Sequence, residues 1–247
     1  MKISILLPYK ENFSPLYPGA VSLFVYETSK NSLFKKNITV FGSTEMKKKF
    51  ALKYIDIKLK KNLLKSLTKD YVEKFINLEK KVNSSIIEIH NRPSYVNILT
   101  NKIKDKIFTL YFHNDPLSMD GSKSINDRKQ LLKKCYKIIF NSNWSKKRFL
   151  EGLENKFVNS NKLIIVYQSA KKSNYSILKK KKKWITFVGK LNKAKGYDVF
   201  VNAIKKILDK YPDWIAKVIG DEKREKILLS HKNAHLLGFR KHEEVLN

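Results

Sequence analysis

The sequence is short of several residue types, and each shortage closes off a class of protein. Cys135 is the single cysteine in 247 residues, so no intrachain disulfide can form and a reducing, cytoplasmic setting is expected. The first apolar run, Ile3 to Leu7, is too short for the core of a signal peptide. No stretch approaches the ~20 apolar residues needed to span a bilayer. Only five of the 52 basic residues are arginine (Arg92, Arg128, Arg148, Arg224, Arg240). Nucleic-acid readers favour arginine because its planar fork grips phosphates and guanine edges. Here lysine dominates, the basic residues are spread along the chain, and no nucleic-acid recognition motif occurs, so no specific nucleic-acid partner is expected. Neither a G-x-G-x-x-G nor a G-x-x-x-x-G-K-[ST] phosphate loop is present.

What is present is enough to fold. Hydrophobic residues make up 42% of the chain and the formal net charge is +30, which excludes disorder as the main state and permits one large domain or two smaller ones, two being the working number. Lysine, together with abundant Asn and Ile, reads as coding bias as much as selection for a basic surface. Such a charge attracts anionic lipid, nucleic acid and phosphorylated glycans.

Short β-branched runs recur with helical segments between them: Ile3 to Leu7, Ile38 to Phe41, Tyr54 to Ile57, Ile86 to Ile89, Ile107 to Phe112, Lys137 to Phe140 and Leu163 to Val166. Strands alternating with helices predict a mostly parallel sheet covered on both faces, a doubly wound α/β domain over residues 1–168. Residues 169–183, with five lysines from Lys179 to Lys183, read as a solvated linker. The pattern restarts at 184–247 with a strand from Trp184 to Val188, a helix from Gly196 to Lys210 and a strand from Ile215 to Ile219. A helix near Glu222 to Ser230, a short strand from Ala234 to Leu237 and a helix opening at His242 follow. The apolar helical face is expected from Val199, Phe200, Ala203, Ile204, Ile207 and Leu208. This is half of a second doubly wound domain, and the expectation is of a chain incomplete beyond Asn247.

Ligands of open α/β sheets bind at the carboxyl ends of strands. Four places there are candidates. Pro18-Gly19-Ala20 opens a helix, where glycine lets backbone approach an anion and free N–H groups attract it; alone it is a plain turn. His90 and His113 each follow a strand. Neither has a cysteine or paired histidine at ligand spacing, so metal binding fits poorly. Gly189-Lys190-Leu191-Asn192-Lys193-Ala194-Lys195-Gly196 joins a strand to an amphipathic helix with two lysines five apart, positive charge of the kind a departing diphosphate needs. A basic loop arising by chance is the competing reading.

In order and spacing, these segments resemble the retaining GT-B glycosyltransferases of family 4 (group 1). The family's P-G-G turn is similar to Pro18-Gly19-Ala20, its H-x-H strand end to Glu88-Ile89-His90, and its next strand-end histidine to His113. Its G-R-L-x-x-x-K-G loop is similar to Gly189 to Gly196, with Lys190 in place of arginine. Asn141-Ser142-Asn143-Trp144-Ser145 resembles the segment before the linker, Val218-Ile219-Gly220-Asp221 the turn near the nucleoside, and Leu237-Gly238-Phe239-Arg240 the segment bordering the base. The family's E-x7-E segment would lie beyond Asn247.

The resemblance implies two Rossmann-like domains, the second partly present. It also implies transfer of a sugar from a nucleotide diphosphate sugar to an acceptor hydroxyl with retention. Gly19, Lys190 and Lys195 would hold the diphosphate, Gly220, Gly238 and Phe239 would lie near the nucleoside, His113 would be catalytic, and His90 would position acceptor or sugar. Absence of any D-x-D agrees with departure of the diphosphate without a metal, so neither metal nor cofactor is expected. The implied acceptor is a cell-envelope glycan or lipid-linked glycan, at a peripheral position on the anionic inner membrane face. A nucleotide-sugar epimerase of the same fold, or a non-catalytic basic protein binding membrane or nucleic acid, are the alternatives.

Overall fold

The computed structural model describes residues 1–59, 66–169, 181–222 and 225–245. The chain divides into two compact units, Met1–Ala170 and Lys171–Asn247. Most of the linker expected over 169–183 lies outside the described residues.

The first unit is built on a seven-stranded sheet. Its strands are β1 (Ile3–Leu6), β2 (Ile38–Gly42), β3 (Tyr54–Asp56), β4 (Ile86–His90), β5 (Ile107–Phe112), β6 (Lys137–Phe140) and β7 (Leu163–Ile165). Every pairing is parallel, in the order β3-β2-β1-β4-β5-β6-β7. Five helices connect them: α1 (Ala20–Lys30), α2 (Leu67–Val82), α3 (Pro93–Lys102), α4 (Ile125–Lys134) and α5 (Asn143–Leu150). Between β2 and β3 the helical segment expected from strand alternation is missing. Residues 43–53 cross directly, tied by Val40 N–H to the Lys53 carbonyl at 2.9 Å and by Phe13 N–H to Thr44 Oγ1 at 2.9 Å.

Parallel strands covered on both faces must be apolar on both faces, and β2 is buried at every position. The two layers pack separately. Leu6, Phe41, Ile87, Ile89, Leu110 and Phe112 meet Tyr71, Phe75, Val96 and Leu99 of α2 and α3 on one side. Ile5, Leu7, Ile38 and Val40 meet Val21 and Val25 of α1 on the other. Truncating any fully buried member of either layer to alanine costs about 2–5 kcal/mol.

The second unit has a three-stranded parallel sheet, ordered β10-β9-β8, of β8 (Trp184–Val188), β9 (Ile215–Ile219) and β10 (Ala234–Leu236), with helices α6 (Tyr197–Lys210) and α7 (His242–Val245). The buried stripe of α6 is Tyr197, Val201, Ile204 and Leu208, packed with Ala216 and Val218 of β9. Val199, expected in that stripe, is 67% exposed. It stands two residues from Tyr197, about 200° around the helix, and so faces away. Ala203 is exposed as well.

The helix expected over Glu222 to Ser230 is absent from the described residues 225–230. There Ile227 packs inward, Leu228 is 82% exposed and Leu229 is buried, an alternation that belongs to extended chain. The run of apolar residues reads as helical only while the cluster that Ile227 and Leu229 join is unknown. No helix among the described residues is long and apolar enough to cross a membrane.

Candidate functional site

In the first unit the strand order turns back between β1 and β4, one going left through β2 and the other right through β5. At such a switch point the strand ends leave a crevice for ligands. His90 is the last residue of β4 and His113 follows the last residue of β5. Because β4 and β5 are adjacent, the two histidines predicted separately are brought together.

Their rings stack at 5.1 Å between centroids, 22° apart in plane, and His90 Nδ1 lies 2.8 Å from His113 Nε2. Each end of this pair has a further partner. His90 Nε2 meets Glu88 Oε1 at 2.7 Å, and His113 Nδ1 meets the Gln168 side-chain amide at 2.8 Å. Tyr111 stacks on His113 at 4.5 Å and on His90 at 5.5 Å, and its hydroxyl donates to the Val166 carbonyl at 2.8 Å. Phe24 of α1 closes the other side, edge-on to His113 at 4.9 Å.

The backbone is fixed with equal care. Asn91 leaves β4 with φ of 51°, a left-handed conformation that asparagine tolerates better than most residues. Its side chain accepts the His113 N–H at 2.8 Å, while Asn141 donates to the His113 carbonyl at 2.8 Å. Burial, reinforced by His90, lowers the His113 pKa to about 3. At neutral pH His113 is therefore an uncharged imidazole, able to exchange hydrogen bonds but not to offer a fixed positive charge. Burial and the Glu88 carboxylate push the Tyr111 phenol up to about 12.

His90 itself is 0% exposed. It is expected from sequence to face the ligand crevice, but both of its ring nitrogens are engaged inside the protein, so neither is open to a ligand. Glu88, Asn91, Tyr111 and Gln168 were not singled out from sequence. Glu88 could have been, because residues two apart on a strand share a face.

Gly19 is the N-cap of α1 with an extended backbone. The space beside it is filled by the Glu11 carboxylate, which a Cβ at position 19 would overlap. Glu11 Oε1 accepts the Ser22 N–H at 3.0 Å. The N–H groups expected to be free for an anion are thus partly engaged by the chain's own carboxylate.

In the second unit the C-terminal ends of β8 and β9 and the segment after β10 converge on three glycines. Gly189 N–H donates to the Ile219 carbonyl and Gly220 N–H to the Gly238 carbonyl, both at 2.9 Å. Gly220 has φ of 143°, and a Cβ there would overlap the Gly189 carbonyl oxygen. Gly220 and Gly238, predicted from separate segments, therefore come together with Gly189, and Phe239 beside them is 47% exposed.

Lys190 and Lys195 sit on the connection from β8 to α6, both exposed. Neither ammonium is paired with a carboxylate among the described residues. Buried Asn192 organises this connection. Its side-chain oxygen accepts the Lys195 N–H at 3.1 Å, its side-chain amide donates to Glu222 at 3.2 Å, and its carbonyl accepts the Tyr197 N–H at 3.2 Å. A single tight turn, Lys193–Lys195, follows and ends at Gly196, whose φ of 71° starts α6. Glu222, just beyond β9, thereby ties the loop to the segment that follows that strand.

Among the described residues no three His, Cys, Asp or Glu side chains cluster as a metal site would require.

The model of the family "Glycosyl transferases group 1" matches residues 168–246. The match is confined to those residues, which are similar to that family, and the fold is GT-B. Two solved structures illustrate the likeness over nearly the whole chain. The HepE protein of Anabaena in complex with UDP-glucose is 13% identical with a TM-score of 0.67, covering 97% of this chain and 70% of its own. Sucrose-phosphate synthase from Thermosynechococcus elongatus is 12% identical with a TM-score of 0.69, covering 100% and 72%. A UDP-GlcNAc 2-epimerase from Neisseria meningitidis, bound to UDP-GlcNAc, is also similar, at 11% identity and a TM-score of 0.59, covering 100% and 74%. At these identities the GT-B likeness speaks to fold and not to substrate. No curated protein sequence matches the chain significantly.

Proposed function

We propose that this protein is a glycosyltransferase that transfers a sugar from a nucleotide diphosphate sugar to an acceptor hydroxyl with retention of configuration and without a metal. The observation that carries this reading is the β8–α6 connection, where two exposed lysines stand on a loop hydrogen-bonded through Asn192 to its own backbone and to Glu222. When the C1–O bond to the diphosphate breaks, the electron pair leaves with the phosphate oxygen. The acceptor oxygen bonds to C1 on the same face, and its proton leaves with the diphosphate. Lys190 and Lys195 stabilise charge that grows during that step, which is where electrostatic groups contribute most. As an ammonium, Lys190 lacks the bidentate fork of arginine and holds phosphate as a point charge. Gly220, Gly238 and Phe239 border the nucleoside. His113, uncharged, hydrogen-bonds a sugar or acceptor hydroxyl.

The acceptor in this reading is a cell-envelope glycan or a lipid-linked glycan, reached from the cytoplasmic face. The formal net charge of +30 favours an anionic membrane surface, where each lysine near the headgroups contributes about 1 kcal/mol. Co-sedimentation with liposomes that ignores anionic lipid content would remove this part.

The test is saturation-transfer NMR of the chain with a panel of nucleotide sugars, with and without Lys190 and Lys195 replaced by alanine. Binding that requires both lysines supports the donor site and names the nucleotide. Binding that ignores them, or none by any nucleotide sugar, refutes it. The GT-B likeness to an epimerase motivates one second reading, action on the donor alone. Release of free nucleotide in the absence of any acceptor would favour it.

A further inference from the structure

The Glu88–His90–His113–Gln168 line of hydrogen bonds has a direction, and the direction is set at one end. An ionised carboxylate only accepts, so Glu88 Oε1, 2.7 Å from His90 Nε2, requires the proton on that nitrogen. A neutral imidazole has one N–H, which leaves His90 Nδ1 as an acceptor. The atom 2.8 Å from it, His113 Nε2, must then donate. That in turn leaves His113 Nδ1 with a lone pair, and its partner at 2.8 Å is the side-chain amide nitrogen of Gln168, a donor. With His90 as a neutral imidazole and the Gln168 amide nitrogen facing His113, one assignment of protons satisfies all four groups and all three hydrogen bonds.

The two ends of this line differ in environment. His90 is 0% exposed, so nothing from solvent can replace Glu88 as the partner of its inner nitrogen. Gln168 is exposed, so another donor can reach and replace its hydrogen bond to His113.

We propose that Glu88 is a positioning residue that fixes His90 and His113 as Nε2–H tautomers, so that His113 Nδ1 is presented as an acceptor for a ligand hydroxyl, the place the Gln168 amide holds. The ligand half of this statement rests on the glycosyltransferase reading; the tautomer half does not. The acceptor end discriminates by chemistry. A hydroxyl or amine donates to Nδ1, whereas a carbonyl, ether or fluorine at that position would set one acceptor against another and lose the interaction.

The experiment is nitrogen-15 NMR of the full chain labelled at histidine, with the His90 and His113 signals assigned by single substitution of each. The expected wild-type result is a pyrrole-type Nε2 and a pyridine-type Nδ1 in both rings. Glu88→Ala and Glu88→Gln should convert this to a mixture of tautomers, because neither supplies an obligate acceptor, and Glu88→Asp should restore it. Gln168→Ala should leave both tautomers unchanged. An Nδ1–H form or an imidazolium in either ring of the wild type overturns the proposal, as does a Glu88→Ala protein with wild-type tautomers. Since Glu88 is 28% exposed, its replacement leaves no large cavity, and the wild-type spectrum decides by itself if a variant fails to fold.

UDP-glucose is the ligand probe. A shift of His113 Nδ1 on binding, enlarged in Gln168→Ala, supports the hydroxyl role. Binding that leaves this nitrogen unmoved overturns that role. Absence of binding counts against the UDP-sugar reading, while the tautomers are judged by the first spectra.

Discussion

The Glu11 carboxylate accepts the backbone N–H of Ser22 at 3.0 Å, in the first turn of α1. The positive end of a helix attracts anions, and here the chain supplies one of its own. Any phosphate approaching this turn competes with Glu11. Gly19→Ala tests the arrangement, because the backbone at 19 has φ of −78° and suits alanine, yet its Cβ would overlap Glu11 Oε1. Loss of this cap-like bond should cost about 1 kcal/mol. Glu11→Gln keeps an acceptor and loses the charge, so its cost should be smaller, about 0.5 kcal/mol. Urea unfolding midpoints measure both. A Gly19→Ala midpoint equal to wild type would mean that Glu11 holds nothing there.

His113 gives the stability a pH dependence whose sign follows from its environment. Burial and His90 take its pKa from the ordinary 6.5 to about 3. Between these values the unfolded chain binds a proton that the folded chain does not, so folding weakens as pH falls below 6.5. The slope approaches about 1.4 kcal/mol per pH unit for one proton. Between pH 6.5 and 4.5, above the range where most carboxylates titrate, His113→Asn should flatten the curve. Equal slopes for the two proteins would show that His113 takes up its proton in the folded state.

Gly220 is constrained by the backbone of a neighbouring strand end and not by a side chain. Its φ of 143° and the Gly189 carbonyl oxygen beside it leave no room for a Cβ. Gly220→Ala must therefore separate the ends of β8 and β9, and a loss of about 3 kcal/mol is expected from combined overpacking and backbone strain. Gly238→Ala, with φ of 67° and nothing within 4 Å of the added carbon, should cost only the conformational penalty of about 1 kcal/mol. Thermal unfolding of the pair separates the two mechanisms. Equal losses would mean that the contact with Gly189 relaxes.

Most of this architecture could be read from sequence because it follows local rules. The strands Ile107–Phe112 and Lys137–Phe140 are mostly apolar, interrupted only by Thr109 and opened by Lys137, as suits doubly covered parallel strands. His90 and His113 were found because each follows such a run. What escaped was tertiary. Gln168 reaches His113 across 55 positions of sequence, and no period or motif connects them. Glu11 beside Gly19 depends on the fold of the β1–α1 loop. The buried face of α6 was rotated because Val199 is apolar yet faces away from the buried stripe, and the segment 225–230 alternates because Ile227 and Leu229 join the apolar cluster of the second unit while Leu228 faces out. Pattern gives the type of an element more readily than the side from which its neighbour arrives.

The β8–α6 loop separates structure from chemistry in two side chains. Asn192 is buried and makes two side-chain hydrogen bonds, to Lys195 N–H at 3.1 Å and to Glu222 at 3.2 Å. Asn192→Ala should lower stability by about 1 kcal/mol, the loss of a cap, and loosen the backbone under both lysines. Lys195 is exposed, so Lys195→Ala should leave stability within about 0.5 kcal/mol of wild type. Its effect should fall on transfer from a nucleotide sugar, in a chain that turns over, lowering kcat by a factor on the order of 10², as when one preorganised electrostatic group is removed. Because the charge it meets grows only as the C1–O bond breaks, kcat should fall more than KM rises. If Lys195→Ala raises KM alone, the lysine binds the ground-state diphosphate and contributes nothing further at the transition state. If neither constant changes, the ammonium at 195 is a solvated surface charge like most of the other lysines, and the diphosphate is held elsewhere.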